Sequence, residues 1–173
     1  MYKKVNEDLR SLSSWFNGNS LTLNIEKSRY IIFRSKRNQV NYNGKLDLNG
    51  QTIPQVKSIK FLGIMLDEFL EWTLQVKHML TKVIAGNYSL NMIKNIIPTR
   101  SKLQVYYCNV QSHLAYAISA WGPMLKSKDL QSIRKQQNKS IGLIYNVKRR
   151  TNLEPYYKKG KILKFDNLVK AHC

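Results

Sequence analysis

The apolar residues of this chain change their period near residue 68. Ahead of that point they come in short alternating or clustered runs, Leu21-Thr22-Leu23-Asn24, Arg29-Tyr30-Ile31-Ile32-Phe33, Leu46-Asp47-Leu48 and Lys57 to Leu66, separated by polar stretches. Behind it they recur every three to four residues, first on Trp72, Val76, Met79, Leu80, Val83 and Ile84. A period of two lines one face of a strand and a period near 3.6 lines one face of a helix. Both in succession point to an α+β fold: a small helix and antiparallel strands, followed by an all-helical bundle. The expected divisions are 1–67, a helical domain over 68–147, and a basic helical extension over 148–173.

In the front region Val5, Leu9, Leu12, Trp15 and Phe16 predict a short amphipathic helix, with Asn6 as its cap and Asn17-Gly18 as its stop. Ile25-Glu26-Lys27-Ser28 reads as a turn between two strands, which would hold Lys27 at a fixed position. The polar stretch 34–45, with Asn43-Gly44, reads as a loop. Asn49-Gly50 between two short apolar runs predicts a hairpin, because Asn-Gly supplies positive φ. Lys57 to Leu66 reads as one further strand region with Gly63 inside it.

In the rear region Gly86-Asn87 is a candidate interruption of the first helix, which Pro98 closes. Leu103, Tyr106, Tyr107, Val110, Leu114, Ala117, Ile118 and Trp121 form a second stripe ended by Gly122-Pro123, and Leu130, Ile133, Gln137, Ile141 and Ile144 form a third. A weaker fourth follows Pro155, with Ile162, Phe165, Leu168 and Val169.

Charge narrows the choice of partner. Lys and Arg total 29 against 10 Asp and Glu, a formal net charge of +19, in a chain that is 43% hydrophobic. An excess of that size with ordinary hydrophobicity implies a polyanionic partner. It is also uneven: residues 123–173 hold 13 basic residues against three acids, whereas 70–125 hold five against one. An anionic membrane competes for such a patch, but membrane-surface helices need a large exposed apolar face. Helix-on-helix packing explains the apolar positions here better, so nucleic acid leads and no membrane is expected.

No apolar run approaches the roughly 18 residues that span a bilayer, and Met1-Tyr2-Lys3-Lys4-Val5-Asn6-Glu7 lacks the apolar core of a signal peptide. A soluble intracellular protein of the nucleus or cytoplasm is expected. Cys108 and Cys173 make neither a disulfide framework nor a zinc pattern, and His78, His113 and His172 are scattered. The acids pair only at Glu7-Asp8 and Asp67-Glu68. Both pairs are placed to serve helix ends rather than a metal.

Two phrases carry a family resemblance. Trp15-Phe16 leads through Leu21-Thr22-Leu23-Asn24 and Lys27 to Ile32-Phe33, and Lys60-Phe61-Leu62-Gly63-Ile64-Met65-Leu66-Asp67 is followed by Trp72. In order and spacing they resemble the late palm segments of non-LTR retrotransposon reverse transcriptases, which read W-F-x-x-N-x-L-x-L-N-x-x-K-[ST], then F-L-G, then a tryptophan opening a helix. Tyr106, Tyr116 and Trp121-Gly122 are similar to a later tyrosine-rich helix of the same family. The resemblance covers about residues 6 to 145, is strongest up to Trp72, and aligns little beyond Val147. The chain departs from the pattern at Ser20, where the family often has lysine, and at Gln75, where it commonly has histidine; Ser28 replaces threonine.

The resemblance implies a portion of an RNA-directed DNA polymerase: the end of the palm and the thumb. Its partners would be RNA template, DNA primer and their duplex, together with the missing palm and fingers. The family's Tyr-Ala-Asp-Asp motif is absent from this sequence. The Mg²⁺ ions of the full-length family would therefore have no carboxylate cluster here, no cofactor is expected in this chain, and the chain alone would be inactive. Lys27 would contact the triphosphate or departing pyrophosphate, a task suited to a compact ammonium. Phe61, Leu62 and Gly63 would form the primer grip. Independently of the family, Lys148-Arg149-Arg150 and Lys158-Lys159-Gly160-Lys161 are candidate phosphate contacts without base specificity.

Each of these residues has an ordinary role as an alternative. Lys27 is otherwise a solvated turn lysine, Phe61-Leu62-Gly63 an apolar strand with a glycine bulge, the tyrosines core aromatics, and the basic clusters a solvated surface. At the level of the chain, the competing readings are a non-enzymatic basic RNA-binding protein and a helical protein-interaction module.

Overall fold

The computed structural model describes residues 2–38, 44–148 and 150–172. Residues 39–43 of the expected loop, Arg149 of the expected phosphate contacts, and Cys173 lie outside the described residues. The chain is α+β, with two small antiparallel sheets of two strands each and a larger helical part. It forms two compact units, residues 1–61 with 66–70 and residues 62–65 with 71–173.

In the first unit, α1 (Tyr2–Gly18) runs four residues further towards the N-terminus than its expected cap at Asn6. Asn6 is spent elsewhere: its Nδ2 donates to the Lys45 carbonyl at 3.1 Å and its Oδ1 accepts from the Asp47 amide at 3.0 Å. Those bonds tie α1 to β1 (Leu46–Leu48). β1 pairs antiparallel with β2 (Gln51–Ile53) in the register Leu46↔Ile53, through the expected Asn49-Gly50 turn. Both turn residues have positive φ, 52° and 78°, as a type I′ hairpin requires. Among the described residues Leu46, Leu48 and Ile53 are the buried apolar side chains of this unit, a thin core.

The strands expected on either side of Lys27 do not form. Asn24 and Ser28 satisfy the backbone locally: the Lys27 amide donates to Asn24 Oδ1 at 3.0 Å, and the Ser28 hydroxyl donates to the Asn24 carbonyl at 2.8 Å. Short polar side chains that bond their own turn compete with a sheet ladder, and the result is a 3₁₀ turn, Ile25–Lys27. The run 29–33 makes a single parallel bridge, Tyr30↔Gln55.

The strand region expected over 57–66 is a hairpin, β3 (Ser58–Phe61) and β4 (Ile64–Asp67). Leu62 and Gly63 turn at φ 46° and 85°, so the glycine is a turn residue and not a bulge within one strand. The acids at its end also do not cap a helix: Asp67 Oδ1 accepts from the Phe69 amide at 2.9 Å, and Glu68 pairs with Arg34 at 2.9 Å.

In the second unit α2 (Thr73–Ile93) runs through Gly86-Asn87 without interruption. A Cβ on Gly86 would lie 2.5 Å from the Asn109 carbonyl oxygen, so this glycine lets another stretch of backbone approach the helix. The second apolar stripe breaks into α3 (Thr99–Tyr106), a π turn (Tyr107–Gln111), α4 (Ser112–Ala115) and α5 (Ile118–Trp121). At the break Ala117 has φ 49°, and the Trp121 indole donates to the Tyr116 carbonyl at 3.0 Å. α6 (Ser127–Tyr145) packs along α2. The weak fourth stripe is two helices, α7 (Glu154–Lys159) and α8 (Phe165–His172). Phe165 stacks on Trp121 with centroids 5.9 Å apart, and Tyr157 and Leu168 are buried, so the C-terminal helices belong to the core of this unit. Burying side chains of this kind contributes about 1.5–3 kcal/mol each.

Candidate nucleic-acid interface

α6 has two faces. Ile133, Gln137, Ser140, Ile141 and Ile144 are buried. Gln137 is fixed on every side: its Nε2 donates to the Tyr106 hydroxyl at 3.1 Å and the Leu163 carbonyl at 2.9 Å, while its Oε1 accepts from the Phe165 amide at 2.9 Å. Burial holds the Tyr106 phenol protonated far above its ordinary range. Ser140 donates to Asn87 Oδ1 at 2.6 Å, joining α6 to α2. A satisfied buried network of this kind sets the rotation of the helix about its own axis.

The other face of α6 therefore points in a defined direction, and it forms a wall of a cleft of about 1000 Å³. Lys135 and Lys139 come from α6, Lys94 from the residue after α2, and Lys148 and Arg150 from the loop that leaves α6. Among the described residues no carboxylate lines the cleft, and none of these five cations is in an ion pair. Five like charges around one concavity produce a potential that gathers polyanions. The corner where the ends of α2 and α6 meet is tied: Asn146, with φ 50° at the α6 terminus, and the buried Lys102 both donate to the Lys94 carbonyl, at 3.2 and 3.0 Å.

Of the expected phosphate contacts, Lys148 and Arg150 line this cleft, Arg149 lies outside the described residues, and Lys158, Lys159 and Lys161 are exposed but do not line it. Lys159 instead stands 5.9 Å over the Tyr145 ring. Charge density along the sequence did not single out Lys94, Lys135 and Lys139. A signal existed for two of them, since Lys135 and Lys139 are four apart on the side of α6 opposite its apolar stripe.

Lys27 is exposed in the 3₁₀ turn of the first unit. Leu62 and Gly63 form the hairpin tip, and Leu62 is 74% exposed while its carbonyl accepts from the Tyr116 hydroxyl at 2.5 Å. Phe61, just before the tip, is also exposed. Gln75, which stands where the resembled family commonly has histidine, is buried, and its Oε1 accepts from the Met65 amide at 2.9 Å. Tyr106 and Trp121 are wholly buried, leaving Tyr116 as the half-exposed member of that aromatic set.

No family model, curated protein or solved structure matches the chain. Among the described residues no group of three or more His, Cys, Asp or Glu comes together as metal ligands, so they do not fit the Mg²⁺ centre of the resembled polymerases. Among the same residues no helix is long and apolar enough to cross a membrane.

Proposed function

We propose that this chain is a fragment of an RNA-directed DNA polymerase of the non-LTR retrotransposon kind, supplying primer-grip and thumb contacts to a template–primer duplex without the catalytic aspartates. The observation that carries this reading is the cleft of the second unit, where Lys94, Lys135, Lys139, Lys148 and Arg150 surround a concavity that no carboxylate lines among the described residues. Cations from helix ends and a helix face, with no aromatic side chain among the described lining residues, suit a sugar–phosphate backbone better than unstacked bases. Lys27 and the tip at Phe61, Leu62 and Gly63 keep the triphosphate and primer-grip roles that the resemblance implies, in cooperation with palm and fingers from another polypeptide.

A second reading, a non-enzymatic RNA-binding protein, draws on the same cleft, since all of its described lining residues belong to one unit. Titrating an RNA–DNA hybrid and heparin against the purified chain at matched charge tests the shared part of both. Clear preference for the hybrid is expected, and equal binding to heparin would reduce the cleft to a basic surface. Primer extension on an RNA template is expected to be absent with the chain alone. Mg²⁺-dependent extension that survives mock-purification controls would contradict the non-catalytic part.

A further inference from the structure

The cleft contains more than charge. Asn138 and Gly142 are four apart and share one row on the exposed side of α6, Asn146 ends that helix four residues further on in a left-handed conformation, and all three line the cleft.

The orientation of both carboxamides is determined by their partners. The buried Tyr157 hydroxyl donates to Asn138 Oδ1 at 2.8 Å, and burial keeps that phenol protonated well above its ordinary range, so it needs an acceptor. Asn138 Oδ1 is thereby turned towards Tyr157, and its NH₂ group is left as a donor. At Asn146 the polarity is reversed. Its Nδ2 donates to the Lys94 carbonyl at 3.2 Å and to Asn95 Oδ1 at 3.4 Å, which leaves its own Oδ1 as an acceptor facing the cleft.

Between them stands a glycine in the last turns of a helix. Among the described residues a Cβ at Gly142 would meet nothing within 4 Å, so none of their packing demands it. Helix interiors disfavour glycine, and a common reason for keeping one is close approach of something to the backbone.

We propose that the row Asn138–Gly142–Asn146 is a track for an RNA strand, with the sugar edge lying over Gly142 and a ribose 2′-hydroxyl donating to Asn146 Oδ1. This rests on the cleft being a nucleic-acid site and adds what it distinguishes. A DNA backbone offers only acceptors, phosphate and ether oxygens, and none of these satisfies Asn146 Oδ1. The 2′-hydroxyl alone among backbone groups donates to an acceptor such as Asn146 Oδ1, whereas the Asn138 NH₂ is met by a 2′-hydroxyl or a phosphate oxygen alike.

The test is binding of one sequence prepared as RNA duplex, RNA–DNA hybrid and DNA duplex, measured across a salt series with the full chain, Asn146→Gly and Gly142→Ala. Glycine preserves the positive φ at 146 while removing the carboxamide. The two RNA-containing ligands are expected to bind tighter than DNA by about threefold to tenfold, the worth of one or two net hydrogen bonds. Asn146→Gly should abolish that preference, read as the ratio of RNA to DNA affinity, because losing the bond to the Lys94 carbonyl weakens both ligands alike. Gly142→Ala should melt higher than the parent yet bind RNA several-fold more weakly, a combination that a purely structural role does not produce. Salt-dependent binding with equal affinity for RNA and DNA would overturn this inference while leaving the cleft as a nucleic-acid site. Unchanged RNA affinity in Gly142→Ala would likewise overturn it. Absence of salt-dependent binding to any of the three would overturn the cleft reading and this one together.

Discussion

The Tyr116 hydroxyl donates to the Leu62 carbonyl at 2.5 Å, joining residues 54 apart in sequence. Tyr116 stands at the helix break where Trp121 holds its own carbonyl, and Leu62 is the first residue of the β3–β4 turn. The exposed hairpin tip, itself part of the second unit, is thereby pinned by one side chain. Tyr116→Phe removes that bond and should cost about 0.5–1.5 kcal/mol in urea unfolding. Gly63→Ala places a side chain at φ 85° and should cost about 1–2 kcal/mol for the left-handed conformation. Two variants with parental midpoints would mean that the tip is not held this way.

Two glycines of the second unit should respond oppositely to alanine. At Gly86 the added Cβ would lie 2.5 Å from a backbone oxygen that belongs to another turn, and overpacking of that kind costs about 1–3 kcal/mol. At Gly142 it meets nothing among the described residues, and replacing a helix-interior glycine should stabilise by about 0.5–1 kcal/mol. Thermal melts of the two variants check the contrast, and a shift of the same sign in both would contradict the packing described for α2 and α6.

Alkaline pH should destabilise the second unit. Burial, foremost, raises the folded pKa of Tyr106 and of Tyr157 above the ordinary value of 10.0. A raised folded pKa means that the contribution is fully present below the unfolded pKa and is lost as pH rises through the folded one. Unfolding free energy should therefore fall as pH climbs from 10 towards the folded values, and Tyr106→Phe should show a shallower decline. A slope identical in parent and variant would count against a buried, protonated Tyr106.

How far the sequence alone reached follows from the range of the interactions involved. The helix stop at Gly18, the Asn49-Gly50 hairpin, the start of α2 after Trp72 and the end of the α6 stripe were legible because each depends on neighbours a few residues apart. The segment around Lys27 was not, because Asn24 and Ser28 bond their own turn and leave β-prone residues without a ladder. The π turn and the break at Ala117 were hidden by apolar spacing that continues across them. Lys148 and Arg150 were singled out from local charge density. Lys94 joins them only because the ends of α2 and α6 meet, through the bond from Asn146, and nothing local in the sequence near Lys94 announces that.

On the proposed reading, position in the cleft and not net charge governs nucleic-acid binding. Two double variants with the same charge test it: Lys135→Ala with Lys139→Ala inside the cleft, and Lys158→Ala with Lys161→Ala outside it. Affinity for an RNA–DNA hybrid is measured as a function of salt for both and for the parent. The cleft pair should bind more weakly, and the magnitude of its log–log salt slope should fall by up to about 0.9 for each phosphate that is no longer neutralised, while the outside pair stays close to the parent. Equal weakening in the two variants would contradict the account.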